Sequence, residues 1–98
     1  VDVIFTQLAE RQIDNLHEYS AANSNEERAY GYIGRLIRYC TGLSTFPQRG
    51  TRRDDILPTL RTIGFENRVT IAFVVTGSAV LIEGIFYGGQ DFEAVLRG

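Results

Sequence analysis

Apolar residues recur at two different periods along this chain, and the single change of period limits the folds open to it. From Gln7 onward Leu8, Gln12/Ile13, Leu16 and Tyr19/Ser20 return every three or four positions, as one stripe on a helix does. The stripe fades at Ala21-Ala22-Asn23. Ser24-Asn25-Glu26-Glu27 then reads as a fresh helix start, a short polar cap followed by two carboxylates where the helix dipole favours them. Ala29, Ile33, Leu36, Ile37, Cys40 and Leu43 continue at helical spacing until Pro47 stops the run. So short a link makes the two helices an antiparallel hairpin. Gly31 and Gly34 inside the second helix each cost it about 1 kcal/mol against alanine, and close approach of the first helix is the expected reason.

Beyond residue 60 the period falls to two. Leu60 to Phe65, Arg68 to Val75 and Ala79 to Tyr87 read as strands, and Glu66-Asn67 and Thr76-Gly77-Ser78 are turns short enough to make neighbours antiparallel. Val1 to Thr6 alternates in the same way and predicts one more short strand ahead of the helices. Gly88-Gly89 breaks the last strand, after which Asp91 can cap a short helix, Asp91 to Leu96. The order predicts an α+β domain over residues 1–98: an N-terminal strand, an antiparallel helix hairpin packed on an antiparallel β-sheet, and a short C-terminal helix.

Ninety-eight residues, 44% of them hydrophobic, suffice for one core and not for two. The lone cysteine, Cys40, has no partner for a disulfide, and no Cys/His cluster offers a metal-ligand set, so a buried thiol and no metal are expected. No apolar run approaches the ~20 residues of a membrane span. The first residues lack the pattern of a secretory leader, which places the expected location in the cytoplasm.

Charge is distributed unevenly. The chain has ten arginines, no lysine and a net charge of -2, yet four of those arginines fall between Phe46 and Arg61. A protein that follows a phosphate backbone carries a strong positive excess, so no direct DNA binding is expected. Arg49, Arg52 and Arg53 from the loop, with Arg61 and Arg68 from strands around one turn, are expected to form a positive contact patch, since guanidinium groups pair carboxylates and phosphates in bidentate fashion. The plainer alternative for Arg52 and Arg53 is that they pair with Asp54, Asp55 or Glu66 and staple the loop. His17, off the apolar stripe and without a partner nearby in sequence, reads as a solvated flank residue. Tyr87, at a strand end, is either core edge or a contact residue beside the patch.

The last strand is apolar on both sides. Read as a regular strand, it places Leu81, Ile85 and Tyr87 on one face and Val80, Ile82 and Phe86 on the other, so both want cover. A chain this short has few elements with which to cover two sheet faces, and a partner protein is the expected completion.

The order strand, helix hairpin, three strands, with Phe46-Pro47-Gln48-Arg49-Gly50, Arg53-Asp54-Asp55-Ile56, Leu60-Arg61 and the ending Phe86-Tyr87-Gly88-Gly89-Gln90-Asp91-Phe92-Glu93-Ala94-Val95-Leu96, resembles the ParE branch of the RelE/ParE toxin superfamily. The resemblance spans nearly the whole chain. It implies the toxic half of a bacterial toxin-antitoxin module, plasmid-stabilising or chromosomal, without cofactor, and bound in a hetero-oligomer by a ParD-like antitoxin that commonly carries a ribbon-helix-helix DNA-binding dimer. The antitoxin is expected over the helix hairpin and sheet, with Leu16, Ile33, Ile37, Leu81 and Ile85 as the apolar residues it covers. Target or antitoxin contacts are expected at Arg49, Arg52, Arg53, Arg61, Arg68, Tyr87, Gln90 and Asp91.

The superfamily divides by target. ParE-like members poison DNA gyrase and stall replication, whereas RelE-like members cut messenger RNA on the ribosome. Arg61 and Arg68 match basic positions of the nuclease branch. Thr59 and Gln90 stand where further basic residues are expected, and Ala94-Val95-Leu96 holds no tyrosine or histidine. Cleavage through a 2'-hydroxyl needs a proton acceptor, a proton donor and positive charge for the transition state, and this chain offers mainly the charge. The resemblance therefore implies a gyrase inhibitor without catalytic residues of its own. The alternatives are a RelE-like nuclease and an antitoxin-binding module that has lost its toxicity.

Overall fold

The computed structural model describes residues 1–98. Strand β1 (Asp2–Phe5) leads into helices α1 (Gln7–Asn23) and α2 (Glu26–Gly42). A loop containing the two-residue strand β2 (Thr51–Arg52) then feeds β3 (Leu60–Phe65), β4 (Val69–Val75) and β5 (Ala79–Tyr87), and α3 (Phe92–Arg97) ends the chain. The five strands form one sheet in the order β1-β5-β4-β3-β2. The pairs β2–β3, β3–β4 and β4–β5 are antiparallel, but β1 lies parallel to β5, with Asp2 opposite Ala79 and Phe5 opposite Ile82. The sheet is thus mixed: the crossover through two helices brings β3 back parallel to β1, and two antiparallel turns later β5 runs in that same direction beside β1.

Local chemistry sets the element ends. The Thr6 side chain accepts the Ala9 N–H at 3.2 Å to start α1, and Asn25 accepts the Arg28 N–H at 2.8 Å to start α2. Asp91 caps α3 through the Ala94 N–H. Between β3 and β4 the two-residue turn holds both Glu66 (φ 46°) and Asn67 (φ 60°) left-handed, as a tight turn matched to strand twist requires. Arg35 on α2 fastens Glu66 there with two hydrogen bonds, 2.8 and 3.0 Å.

The main core fills the space between the helix hairpin and one sheet face, with Leu16, Leu36, Cys40, Leu43, Ile71, Phe73, Val80, Ile82 and Ile85 at its centre. Cys40 is fully buried and burial pushes its thiol up to about 12. A second, smaller core lies on the opposite sheet face, where Ile56 from the loop covers Leu60, Ala72 and Phe86 while Leu57, Phe92 and Leu96 pack around them.

The regular alternation expected of β5 fails. Its register to β4 passes from Phe73↔Ile82 to Ala72↔Gly84, so Glu83 is an extra residue, a β-bulge. The bulge brings Val80, Ile82, Ile85 and Tyr87 to the helix side and leaves Phe86 on the other, so that the residues after it change face: unbroken alternation would set Ile85 and Tyr87 against Val80 and Ile82 and keep Phe86 with the latter pair. The Ile85 N–H next to the bulge is taken by the Gln12 side chain of α1 at 2.6 Å. Gly84 makes room for this arrangement, because a Cβ there would collide with the Phe86 ring.

The helix glycines also differ from expectation. A Cβ on Gly31 would meet only the tip of Arg35 at 3.9 Å, and one on Gly34 only that of Arg38 at 3.4 Å. Helix α1 makes no close approach at either position.

Candidate functional site

The arginine-rich segment resolves into paired and unpaired groups. Arg52 makes two hydrogen bonds to Asp54, 3.0 and 2.8 Å, and Asp54 also accepts the Thr59 N–H at 2.8 Å. That bond supports Thr59, whose φ of 64° is unusual for a β-branched residue. Arg53 makes two bonds to Asp55 (2.9 and 2.8 Å) and one to Glu93 of α3 (3.0 Å), with its guanidinium carbon 5.8 Å from the Phe92 ring centre. Arg97 reaches the same Asp55 at 3.4 Å. Hydrogen bonds from Arg52 and Arg53 hold the carboxyls of Asp54 and Asp55 below the usual range, and Arg35 does so for Glu66. Arg52 and Arg53 therefore staple the loop, and Arg53 also ties it to α3.

Arg49 and Arg61 are held by neutral acceptors instead. Arg61 donates to the Gln48 side chain at 2.6 Å and to the Arg49 carbonyl at 3.4 Å, while Arg49 donates to the Tyr39 hydroxyl at 3.4 Å and lies 5.4 Å from that ring's centre. Gly50 anchors the loop with φ 77°, and a Cβ there would overlap the Thr62 carbonyl of β3.

Arg68 is elsewhere. Arg61 stands opposite Phe73 near the start of β3, whereas Arg68 adjoins the β3–β4 turn and accepts through its carbonyl from the Gly88 N–H. Five residues of strand separate them, about 16 Å at ~3.3 Å per residue. The single patch expected from these two arginines is not formed: β3 is long enough to carry them to its two ends.

Arg68 instead borders an open cleft of about 660 Å³ between the helix ends and the sheet, with Tyr19, Tyr32, Tyr87, Arg28 and the Arg35–Glu66 pair around it. The Tyr19 and Tyr87 rings stack there, tilted, with centres 5.4 Å apart. The Tyr32 hydroxyl is buried without a hydrogen-bond partner, and burial, aided by Tyr87 and Glu66, raises its phenol above the ordinary range. An adjoining cleft of about 470 Å³ shares Tyr19 and Tyr87 and continues along Gln12, Leu16 and Gln90.

Gln90 and Asp91 have structural duties. Gln90 Oε1 accepts the Tyr87 N–H at 2.7 Å, closing the turn after β5, and Asp91 is the α3 cap. His17 is half-buried rather than solvated, its Nε2 2.9 Å from a Glu26 carboxylate oxygen across the interhelix link. Nowhere do three His, Cys, Asp or Glu side chains converge as a metal-ligand set.

Of the apolar residues expected to await a partner, Leu16 and Ile85 are buried in the chain's own core. The helix hairpin covers them, and the bulge at Glu83 turns Ile85 inward. Ile33 and Leu81 are partly covered, and Ile37 is 38% exposed. Ile37 lines a shallow groove of about 310 Å³ with Phe5, Glu10, Ile13 and Asp14. Beyond the expected residues, Tyr30 on α2 and Phe46 in the loop, 78% and 68% exposed, are the most open large apolar side chains. Both lay hidden in the sequence among residues assigned to the helix and the loop.

An N-terminal strand, a helix hairpin and a mixed sheet closed by a short helix define the RelE/ParE-like fold. A solved structure described as the chromosomal ParDE TA system from P. aeruginosa superposes on it with a TM-score of 0.78 and 19% sequence identity, covering 90% of this chain and 96% of that one. A search of curated protein sequences returns no match. The family model described as ParE toxin of type II toxin-antitoxin system, parDE, matches residues 3–92. The chain belongs to that ParE toxin family. No helix is long and apolar enough to cross a membrane.

Proposed function

We propose that this ParE-family toxin acts as a stoichiometric inhibitor of DNA gyrase, blocking replication through surface contacts rather than through chemistry of its own, and that a ParD-like antitoxin neutralises it by direct binding. The observation that carries the non-catalytic part is the separation of Arg61 from Tyr87. Arg61 is in register with Phe73 and Tyr87 with Val69, four residues apart along β4, and they sit on the strands to either side of it. That spacing puts about 13 Å along the strand and two strand widths between them. With the Arg61 guanidinium also held on the loop by Gln48 and the Arg49 carbonyl, the two side chains are not gathered around one phosphodiester.

The antitoxin's seat is assigned to the groove formed by Phe5, Ile13 and Ile37 and to the tyrosine cleft, two concave surfaces that present apolar and aromatic side chains to a partner. The test compares Tyr87→Phe with wild type in two reactions, gyrase-mediated DNA cleavage and messenger-RNA cleavage in a translating extract. Tyr87→Phe should poison gyrase undiminished. A wild type that cuts RNA and loses that activity by orders of magnitude on Tyr87→Phe would establish the nuclease reading instead.

A further inference from the structure

The clefts and the apolar groove are claimed above for the antitoxin, which leaves the far corner of the sheet, where α2 ends and the loop meets β3. We infer that Phe46, Arg49 and Arg61 form the target-contact surface, and that its partner is an acidic protein surface with an apolar pocket for the Phe46 ring. The inference rests on the inhibitor reading in naming gyrase as target. The corner itself is argued from its own chemistry.

Charge comes first. In a chain of net charge -2, Arg35, Arg52, Arg53 and Arg97 are each neutralised by a carboxylate; Arg49 and Arg61 have none within ion-pair distance, as is also true of Arg11, Arg28, Arg38 and Arg68, but these two are joined at one corner by the Arg61 hydrogen bond to the Arg49 carbonyl. Their positive charge remains available to a partner. Preorganisation comes second. Gln48, the Arg49 carbonyl and the Tyr39 hydroxyl hold both guanidinium groups, and Gly50 locks the loop against the Thr62 carbonyl, so little side-chain entropy is left to lose on binding. An anchor is the third element: Phe46 stands 68% exposed three residues before Arg49. An exposed aromatic on the same short loop as fixed arginines supplies the residue types of an interface hot spot.

Carboxylates fit this corner better than a nucleic-acid backbone. Arg52, the register partner of Arg61, carries Asp54, and Asp55 follows; both acids are about half exposed. They would repel a run of phosphates passing over the corner, whereas a protein surface can present its carboxylates to Arg49 and Arg61 alone.

The test uses the full chain induced in bacterial cells without antitoxin, as wild type, Phe46→Ala, Arg49→Glu and the neighbouring control Arg52→Ala. Growth arrest is read alongside melting temperature, antitoxin affinity and capture of purified gyrase. Phe46→Ala and Arg49→Glu should each weaken growth arrest by roughly tenfold or more, with unchanged melting temperature and antitoxin affinity, while Arg52→Ala stays toxic. If wild type arrests growth without capturing gyrase and these two variants do not arrest growth, the corner stands and the gyrase reading falls. Full toxicity in both variants, a loss confined to antitoxin binding, or a wild type that does not arrest growth would each overturn the assignment.

Discussion

Replacing both helix glycines with alanine should make this protein more stable. Gly31 and Gly34 lie in the interior of α2, where glycine costs about 1 kcal/mol against alanine through the backbone freedom it forfeits on folding. The cost is recovered only if a methyl group fits. At Gly31 it would sit 3.9 Å from an Arg35 nitrogen, ordinary van der Waals contact, and at Gly34 it would sit 3.4 Å from a mobile Arg38 nitrogen that can swing aside. The double variant should therefore gain roughly 1.5 to 2 kcal/mol. For a chain of 98 residues the unfolding entropy is roughly 0.2 kcal/mol per degree, so the melting temperature should rise by roughly 8 to 10 °C. Thermal and urea denaturation of purified single and double variants would measure it. A double variant that melts lower than wild type would refute the reasoning, because it would mean that these positions are packed. Glycine persists in a helix at a cost where something must come close, and nothing in this chain does. The same variant is accordingly expected to bind its antitoxin more weakly while being more stable.

Further predictions concern single side chains and pH. Gln12→Ala leaves the Ile85 N–H at the bulge unsatisfied and should cost about 1 to 3 kcal/mol in denaturant-measured stability. Arg53→Ala should lower the melting temperature more than Arg52→Ala, since Arg53 alone joins the loop to Glu93 and Phe92 of α3. The carboxyls of Asp54, Asp55 and Glu66 are depressed in the folded state, so their contribution is present above their unfolded pKa values near ~4 and is lost as pH falls through the lower folded ones. Urea midpoints should accordingly be level from pH 7 to pH 5 and drop below about pH 4. Cys40, buried and with its thiol pushed up to about 12, should not react with iodoacetamide at pH 8 in the folded protein and should react in urea.

Much of the architecture is legible in the residues because the local signals agree with one another. Asn25 ahead of Glu26 and Glu27 marks the start of α2, Asp91 caps α3, and Glu66-Asn67 turns β3 into β4, each where short-range chemistry alone decides. The parallel pairing of β1 is a consequence of the crossover and leaves no local trace. The bulge at Glu83 is hidden for another reason: its main support, the Gln12 side chain, comes from 73 residues away, and nothing in Leu81-Ile82-Glu83-Gly84 announces it beyond the glycine. That bulge decided which of β5's residues face the helices, and so which could face a partner. Among the arginines, Arg52 and Arg53 are readable as loop staples because their carboxylates are sequence neighbours. The unlike fates of Arg61 and Arg68 depend on strand length and register, which composition does not carry.

The most direct test of the inhibitor account is DNA cleavage and supercoiling by purified gyrase with this protein added after release from its antitoxin, run beside a translating extract probed for messenger-RNA cuts. The account predicts accumulation of cleaved DNA and intact RNA. Untouched gyrase with cut RNA would contradict it.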